Sequence, residues 1–316
     1  MKLNSIAAAA AIALLVAGCG GGVGGGGSSS GTNGGSTGGS STGGSSSGGT
    51  SQPDPVTDGP ITITPVVAGV ATYSGARGFY RISRVGSDFQ VAHTRLTDVS
   101  RVSGAQFIRF TDITVNLGVG DKAVALNPAT LKSLIEVYMA LLRRVPDADS
   151  ISAAIDQLNG GQTLTQIADR LYAQAILEPA LTGFNAGLLN SEFVIAVYKE
   201  VFGLTGATAP AAADIDSWSS RIDKGGMSRG ALIVAMLSAA RAGYPGLSSP
   251  EVIGLLDNRA DAGDYVAVQQ GISYNAADES VNRRTAIAAA VTSTDKTVAQ
   301  SMLGFADTLN LKVAGK

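Results

Sequence analysis

The chain changes from a strand pattern to a helical pattern at the segment NPATLKSLIEVYMALLRRVPDADS, residues 127–150. Asn127 followed by Pro128 is typical of a helix start, because an Asn side chain accepts a hydrogen bond from the first turn and proline suits the first helical position. From Leu131 to Leu142, apolar residues recur every three or four positions. The segment therefore predicts a helix with one continuous apolar face, followed by a polar turn at 143–147.

Before this segment, apolar and polar residues alternate between Ile61 and Leu117, as in Phe89, Val91 and Ile113, Val115. A period of two is typical of half-buried strands, and glycines separate the runs. We expect four to six short antiparallel strands that form a small β module at 53–126.

After Asn127 the helical period continues almost to the end of the chain, so the sequence predicts an α+β protein. We expect a small antiparallel β module followed by a larger all-α domain, 127–316, built from two related helix-turn-helix units and trailing helices at 249–310. The further predicted helices are 150–159, 164–176, 191–202, 214–224, 228–242, 250–260, 262–273, 278–292 and 295–310.

The two helix-turn-helix units are predicted as repeat copies at about 131–176 and 191–242. Tyr138 corresponds to Tyr198, and Gly160-Gly161 corresponds to Gly225-Gly226, where each glycine pair ends one helix. After each glycine pair, we expect a hydroxyl side chain, Thr165 or Ser228, to cap the helix that follows.

The N-terminus carries a separate signal. A short apolar run ends on Val16-Ala17-Gly18-Cys19, which resembles a bacterial lipoprotein signal, so we expect a signal peptide at 1–18 and a lipid on Cys19. The 33 residues from Gly20 to Gln52 include 16 Gly, 10 Ser and 4 Thr, which predicts a flexible tether across 19–52. The expected location is the cell envelope, on the outer-membrane bilayer, facing either the periplasm or the surface.

Composition excludes several classes of protein. Lys plus Arg number 23 against 25 Asp plus Glu, which does not suggest a nucleic-acid partner. With one Cys and one His in 316 residues, thiolate or histidine metal sites, disulfide frameworks and most histidine-based triads are excluded. We therefore expect no cofactor and no metal.

Seven segments are informative in combination: VSGAQFIRFTDITVNLG at 102–118, Arg144-Val145-Pro146-Asp147, QLNGG at 157–161, Ser191-Glu192-Phe193, Trp218, GGMSRGALI at 225–233 and LDNRADAGDYVAVQQGISY at 256–274. In their joint order they resemble the bacterial domain of unknown function numbered 4214, whose helical core is similar to phycobilisome linker domains. Two features depart from that pattern: Ala154 stands where the second copy has Trp218, and the second copy lacks the R-x-P-D turn.

The resemblance covers about residues 75–310 and implies a non-catalytic role at the cell envelope, since such domains occur in secreted and surface-layer proteins. Some surface-layer relatives hold lipopolysaccharide. The resemblance therefore implies a binding or scaffolding module for lipopolysaccharide, exopolysaccharide or a surface protein.

The binding candidates are Arg143, Arg144 and Asp147 in the polar turn, with Trp218 as a possible stacking residue. Arg144 and Asp147 can instead pair with each other and close the turn, and Trp218 at helical spacing is typical of a core residue. Two alternative functions remain open. One is a hydrolase of cell-wall or ester substrates that uses carboxylates such as Asp214 and Asp216, and the other is a purely structural assembly module.

Motifs that suggest catalysis have simpler interpretations. Gly226-Met227-Ser228-Arg229-Gly230 matches the G-x-S-x-G pattern of a nucleophile elbow, but a helix precedes it and no His follows. We interpret Ser228 as a helix cap. His93 continues the alternation of a strand, and we interpret it as a structural residue.

Overall fold

The computed structural model describes residues 61–224, 226–305 and 309–313. The predicted signal peptide, Cys19 and the tether lie outside the described residues. All of the described residues belong to a single compact unit. No helix within these described ranges combines the length and apolar character needed to cross a membrane.

The described residues form two sheets together with helices, which confirms the predicted α+β class. The first sheet has the order β1-β6-β5-β4 and the second has the order β2-β3-β7-β8-β9. The strands are β1 (Ile61–Ile63), β2 (Val66–Val67), β3 (Val70–Thr72), β4 (Tyr80–Val85), β5 (Asp88–His93), β6 (Val99–Val102), β7 (Phe107–Arg109), β8 (Ile113–Asn116) and β9 (Ile272–Tyr274).

Most strand pairs are antiparallel, as predicted, but β1 pairs with β6 and β3 pairs with β7 in parallel. Between residues 61 and 117, where the described part of the chain begins, there are eight strands rather than four to six, because several of them are only two or three residues long. Such short strands contain too few residues for an alternating pattern to be recognised.

Eleven α-helices occur in the described part of the chain, and most match the predicted ranges within two residues. They are α1 (Val119–Ala125), α2 (Pro128–Leu142), α3 (Ala148–Asn159), α4 (Leu164–Ala175), α5 (Pro179–Thr182), α6 (Asn190–Glu200), α7 (Ala212–Asp223), α8 (Arg229–Arg241), α9 (Pro250–Gly263), α10 (Ala277–Ala290) and α11 (Thr297–Ser301).

The helix predicted at 262–273 is wrong. Instead α9 continues into a π-helical segment, Asp264–Gln269, and the chain then enters β9, which pairs with β8. This pairing ties the helical part into the second sheet, and both belong to one compact unit. The change from strands to helices comes before the expected boundary at Asn127, between β8 and α1. The predicted helix at 295–310 is also too long, since α11 covers only Thr297–Ser301.

Helix caps follow the local sequence. The Asn127 side chain accepts a hydrogen bond from the Ala129 N–H at 2.9 Å, as predicted. The cap of α4 is Thr163, which forms a capping box with Gln166, so the expectation that Thr165 caps this helix is wrong.

Helix α2 lies between two hydrophobic cores, and its residues from Leu134 to Leu142 are buried. One side, including Leu134 and Ile135, joins the core of the two sheets, α1 and α3. The other side, including Tyr138, joins the core of α4, α6 and α8. A helix that is apolar on all sides is typical of a buried element, and α2 is the centre of this fold.

The final described segment, 309–313, packs across both parts of the molecule. The Leu311 N–H donates to the Gln269 carbonyl at 2.9 Å, and the Leu311 carbonyl accepts from Arg84 of β4 at 3.3 Å. It fits only because Gly120 lacks a side chain: a Cβ added there would lie 2.7 Å from the Leu311 Cβ.

Candidate functional site

The polar turn after α2 directs two successive arginines to different surroundings. Arg143 ends α2 in the left-handed conformation, with φ of 53°, and its side chain pairs with Glu200 of α6. Arg144 is buried and pairs with Glu178 just before α5, and Asp147 caps α3 by accepting a hydrogen bond from the Ser150 N–H at 2.7 Å. The two arginines therefore pair with different carboxylates.

Arg144 and Asp147 line a cavity of about 570 Å³, which we call the large cavity. It lies between the polar turn, α3, α4, β9 and α10. Its polar lining residues are Tyr138, Arg144, Asp147, Ser150, Gln157, Arg170, Gln174, Tyr274, Asn275, Ser280 and Arg284. A volume in this range is typical of small-ligand sites.

Two buried arginines form the floor of the large cavity. Arg144 donates to both carboxylate oxygens of Glu178, at 2.7 and 3.2 Å, and Arg284 pairs with Asp147 and donates to the Tyr138 hydroxyl at 3.2 Å. Burial, and to a smaller extent the charge of Arg144, lowers the pKa of Arg284 below its ordinary value. The Nε atoms of both arginines are buried and have no hydrogen-bond partner among the described residues.

A third arginine lies at the exposed rim of the large cavity. Arg170 of α4 donates to the side-chain oxygens of Gln157 and Gln162, and it forms no ion pair with a carboxylate in the described part of the chain. Glu178 balances the charge of Arg144 and Asp147 balances that of Arg284, so the charge of Arg170 is left without a balancing carboxylate among the described residues. This charge favours an anionic ligand.

Tyr274 and Asn275, where β9 ends, provide the neutral part of the lining. Burial raises the pKa of Tyr274 to about 12, so its hydroxyl remains protonated at neutral pH. Asn275 is fixed by donating to the Phe110 carbonyl at 2.8 Å and accepting from the Thr114 hydroxyl at 2.7 Å. An aromatic ring beside fixed polar groups suits a sugar, which has both an apolar face and hydroxyl groups.

The sequence candidates do not all lie together. Arg144 and Asp147 line the large cavity, whereas Arg143 lies in a different, smaller cavity. Trp218 is only 1 % exposed and belongs to the second core, with the Arg221 guanidinium 4.1 Å from its ring centroid. A ring so covered is not available for stacking, and the core interpretation of Trp218 holds in the structure.

Three lining residues had no signal in the sequence that connected them with the polar turn. Arg170, Tyr274 and Arg284 come from α4, β9 and α10, and only the fold brings them to Asp147. The sequence also gave no indication that Glu178 is the partner of Arg144. Asp147 was the expected partner because it lies in the same short turn.

The residues considered for catalysis have structural roles. The Ser228 hydroxyl accepts from the Ala231 N–H at 3.1 Å and caps α8, as predicted. Nδ1 of His93 accepts from the backbone N–H groups of Arg95 and Leu96, at 3.1 and 3.2 Å. Asp214 and Asp216 both lie on α7, two positions apart, where helical side chains do not face each other. Within the described ranges, no group of three His, Cys, Asp or Glu side chains is arranged to hold a metal ion.

Comparison with known proteins found no match to a family model, to a curated protein or to a solved structure.

Proposed function

We propose that this chain is a non-catalytic lipoprotein of the cell envelope that binds an acidic segment of a surface polysaccharide in the large cavity. The observation that carries the proposal is the lining itself, in which three arginines, one aspartate, two tyrosines and several amide and hydroxyl groups surround about 570 Å³. The resemblance to the domain numbered 4214 and the lipoprotein-like N-terminus support a location at the envelope.

The chemistry of the lining explains why an acidic sugar is preferred. A carboxylate on a sugar ring can accept charge-assisted hydrogen bonds from Arg170, whose charge has no carboxylate partner among the described residues. The ring hydroxyls can bond to Asn275 and Gln174, and an apolar ring face can contact the half-buried Tyr274. Arg144 and Arg284, already paired with Glu178 and Asp147, support the floor of the cavity.

The test is calorimetry with the full-length chain, purified in detergent. The probes are oligogalacturonate, neutral glucose oligomers of matched length, and polysaccharide extracted from the outer membrane of the native host. We expect saturable binding of at least one acidic probe and none of the neutral oligomers. Since a charged hydrogen bond contributes roughly 1.5–3 kcal/mol, Arg170→Gln is expected to weaken binding about tenfold or more.

Arg221→Gln is the matched control, because Arg221 lies against Trp218 and away from the lining. It should bind as the unchanged protein does. Failure of the folded chain to bind either acidic probe would overturn the proposal and favour a protein-assembly role. Equal loss in both variants would show that binding depends on overall charge and not on this cavity.

A further inference from the structure

A second, smaller cavity lies at the end of α2, where Arg143 turns away from the large cavity. Its volume is about 90 Å³, and we call it the small cavity. At about 30 Å³ for each water, it has room for roughly three water molecules, which is comparable to one phosphate or sulfate ion. Its lining residues are Met139, Arg143, Leu181, Glu200, Arg259, Thr285, Ala288 and Ala289.

The charges in the small cavity are not balanced. Glu200 is its carboxylate, and it already pairs with Arg143 and with Lys199, whose Nζ lies 3.0 Å from Oε1. Arg259 of α9 donates to the Val201 carbonyl at 2.7 Å, but no carboxylate of the described residues lies within ion-pair distance of it. Two arginines therefore face one carboxylate in the lining of the small cavity.

Burial acts on both arginines of the small cavity. Burial, followed by the nearby charge of Arg143, lowers the pKa of Arg259 to about 10. Burial also lowers the pKa of Arg143. An anion between the two guanidinium groups would favour their charged forms, as a nearby opposite charge does.

Thr285 adds an uncharged donor. A Ser or Thr inside a helix usually bonds back to the carbonyl four residues earlier or points to solvent. The Thr285 hydroxyl on α10 does neither, since its Oγ1 is buried and has no hydrogen-bond partner among the described residues. It lines the small cavity together with Arg143 and Arg259.

The backbone at Arg143 is unusual for this residue type. Glycine is the common residue where a helix ends in the left-handed conformation, because a side chain there is strained. Arg143 has φ of 53°, and this conformation places its guanidinium against Glu200 and into the small cavity. Gly183 leaves the space for Glu200, because a Cβ added at Gly183 would lie 2.9 Å from the Glu200 Cγ.

We propose that the small cavity is a binding site for a tetrahedral oxyanion, phosphate or sulfate, held by Arg259, Arg143 and the Thr285 hydroxyl. The apolar walls, including Met139, Leu181 and Ala288, strengthen these contacts because they keep water from screening the charges. The site is separate from the large cavity, and the inference does not depend on polysaccharide binding.

The experiment is calorimetric titration of the full-length chain in detergent with sodium phosphate and sodium sulfate, with ionic strength held constant by sodium chloride. We expect one saturable site for phosphate or sulfate. Arg259→Gln is expected to weaken the affinity about tenfold or more, because it removes a charged donor. Thr285→Val, which keeps the shape of the side chain, is expected to weaken it roughly fivefold.

Arg221→Gln makes the same substitution beside Trp218, away from the small cavity, and it should leave the phosphate affinity unchanged. The proposal is overturned if the folded protein binds neither ion, if Arg259→Gln and Thr285→Val bind as tightly as the unchanged protein, or if Arg221→Gln removes the binding. Circular dichroism of each variant verifies that it is folded.

Glycerol 1-phosphate, titrated in parallel, identifies the source of the oxyanion. Similar affinity for the ester and for inorganic phosphate would indicate that the site accepts phosphate carried on a larger molecule. Binding of the inorganic ion alone would indicate a site for the free ion. Both patterns support the proposed site.

Discussion

Arg144 and Asp147 lie three residues apart in one turn, yet each pairs with a residue far along the chain: Arg144 with Glu178 and Asp147 with Arg284. The turn is thus held from two sides, by the start of α5 and by α10. Asp147 has a second role, since it also caps α3. These two roles can be separated by mutation.

Asp147→Asn keeps a capping side chain but removes the charge that balances Arg284, whose side chain is only 5 % exposed. Breaking a buried ion pair on one side leaves an uncompensated charge, so we expect a loss of about 3–5 kcal/mol in the free energy of unfolding, measured with urea. Asp121→Asn breaks an exposed pair with Arg84 and should cost under about 1 kcal/mol. Equal small losses would contradict the importance of the Arg284 pair.

Gly230→Ala is expected to destabilise the protein, although Ala ordinarily stabilises a helix by about 1 kcal/mol relative to Gly. A Cβ at Gly230 would lie 2.5 Å from the backbone nitrogen of Asp169, where α8 crosses α4. Because two backbones must move apart, we expect a loss of about 1–3 kcal/mol in urea unfolding. Gly78→Ala, where no atom lies within 4 Å of the added Cβ, is the control and should change stability little. A stable Gly230→Ala would contradict the close crossing.

Ser228→Ala removes the cap of α8, and it should lower the free energy of unfolding by about 1 kcal/mol. Ser228→Asp retains a capping oxygen and should recover most of that stability. Thermal unfolding of the three proteins measures the effect. A nucleophilic Ser228 would behave differently, because the Asp variant would then lose all activity against ester probes that the unchanged protein hydrolyses.

Arg241 links two carboxylates whose pKa values shift in opposite directions. Burial raises the pKa of Glu136 above its ordinary 4.5, despite the contact with Arg241. Burial also acts to raise the pKa of Asp257, but hydrogen bonds from Lys132 and Arg241 outweigh it and hold that pKa below 3.8.

These shifts predict opposite pH dependences. The folded state binds a proton at Asp257 less tightly than the unfolded state, so this contribution is present above pH 3.8 and is lost as the pH falls below it. Folded Glu136 holds its proton more tightly, so its contribution decreases as the pH rises above 4.5. Urea unfolding at several pH values checks both. Asp257→Asn should flatten the acidic side of the stability curve, and Glu136→Gln should flatten the decrease above pH 4.5.

The helical part of the fold could be predicted because its signals are local. The cap at Asn127, the glycines after α3 and the apolar period of α2 each involve neighbouring residues. The sequence did not predict β9, because Ile272–Tyr274 becomes a strand only by pairing with Ile113–Val115. Tertiary pairing overrides a helical pattern in so short a segment.

The candidate site was predictable in part for the same reason. Arg144 and Asp147 stood out in a recognisable turn, and both line the large cavity. Arg170, Arg284 and Arg259 lie on helices, where an isolated arginine is typical of a solvated surface. Only the packing of α4, α9 and α10 around the end of α2 shows that these charges face cavities.

The distant contacts of the β strands have a consequence for how the protein folds. Asn275 bonds to Phe110 across 165 residues of sequence, and the Leu311 carbonyl bonds to Arg84 across 227. Closing such long loops is entropically costly and slows folding. Strand β8 pairs on one side with β7, which is close in sequence, but its other edge gains a partner only after Tyr274 has been synthesised. That edge of the second sheet therefore remains open through most of translation, and an unpaired strand edge can pair with another chain.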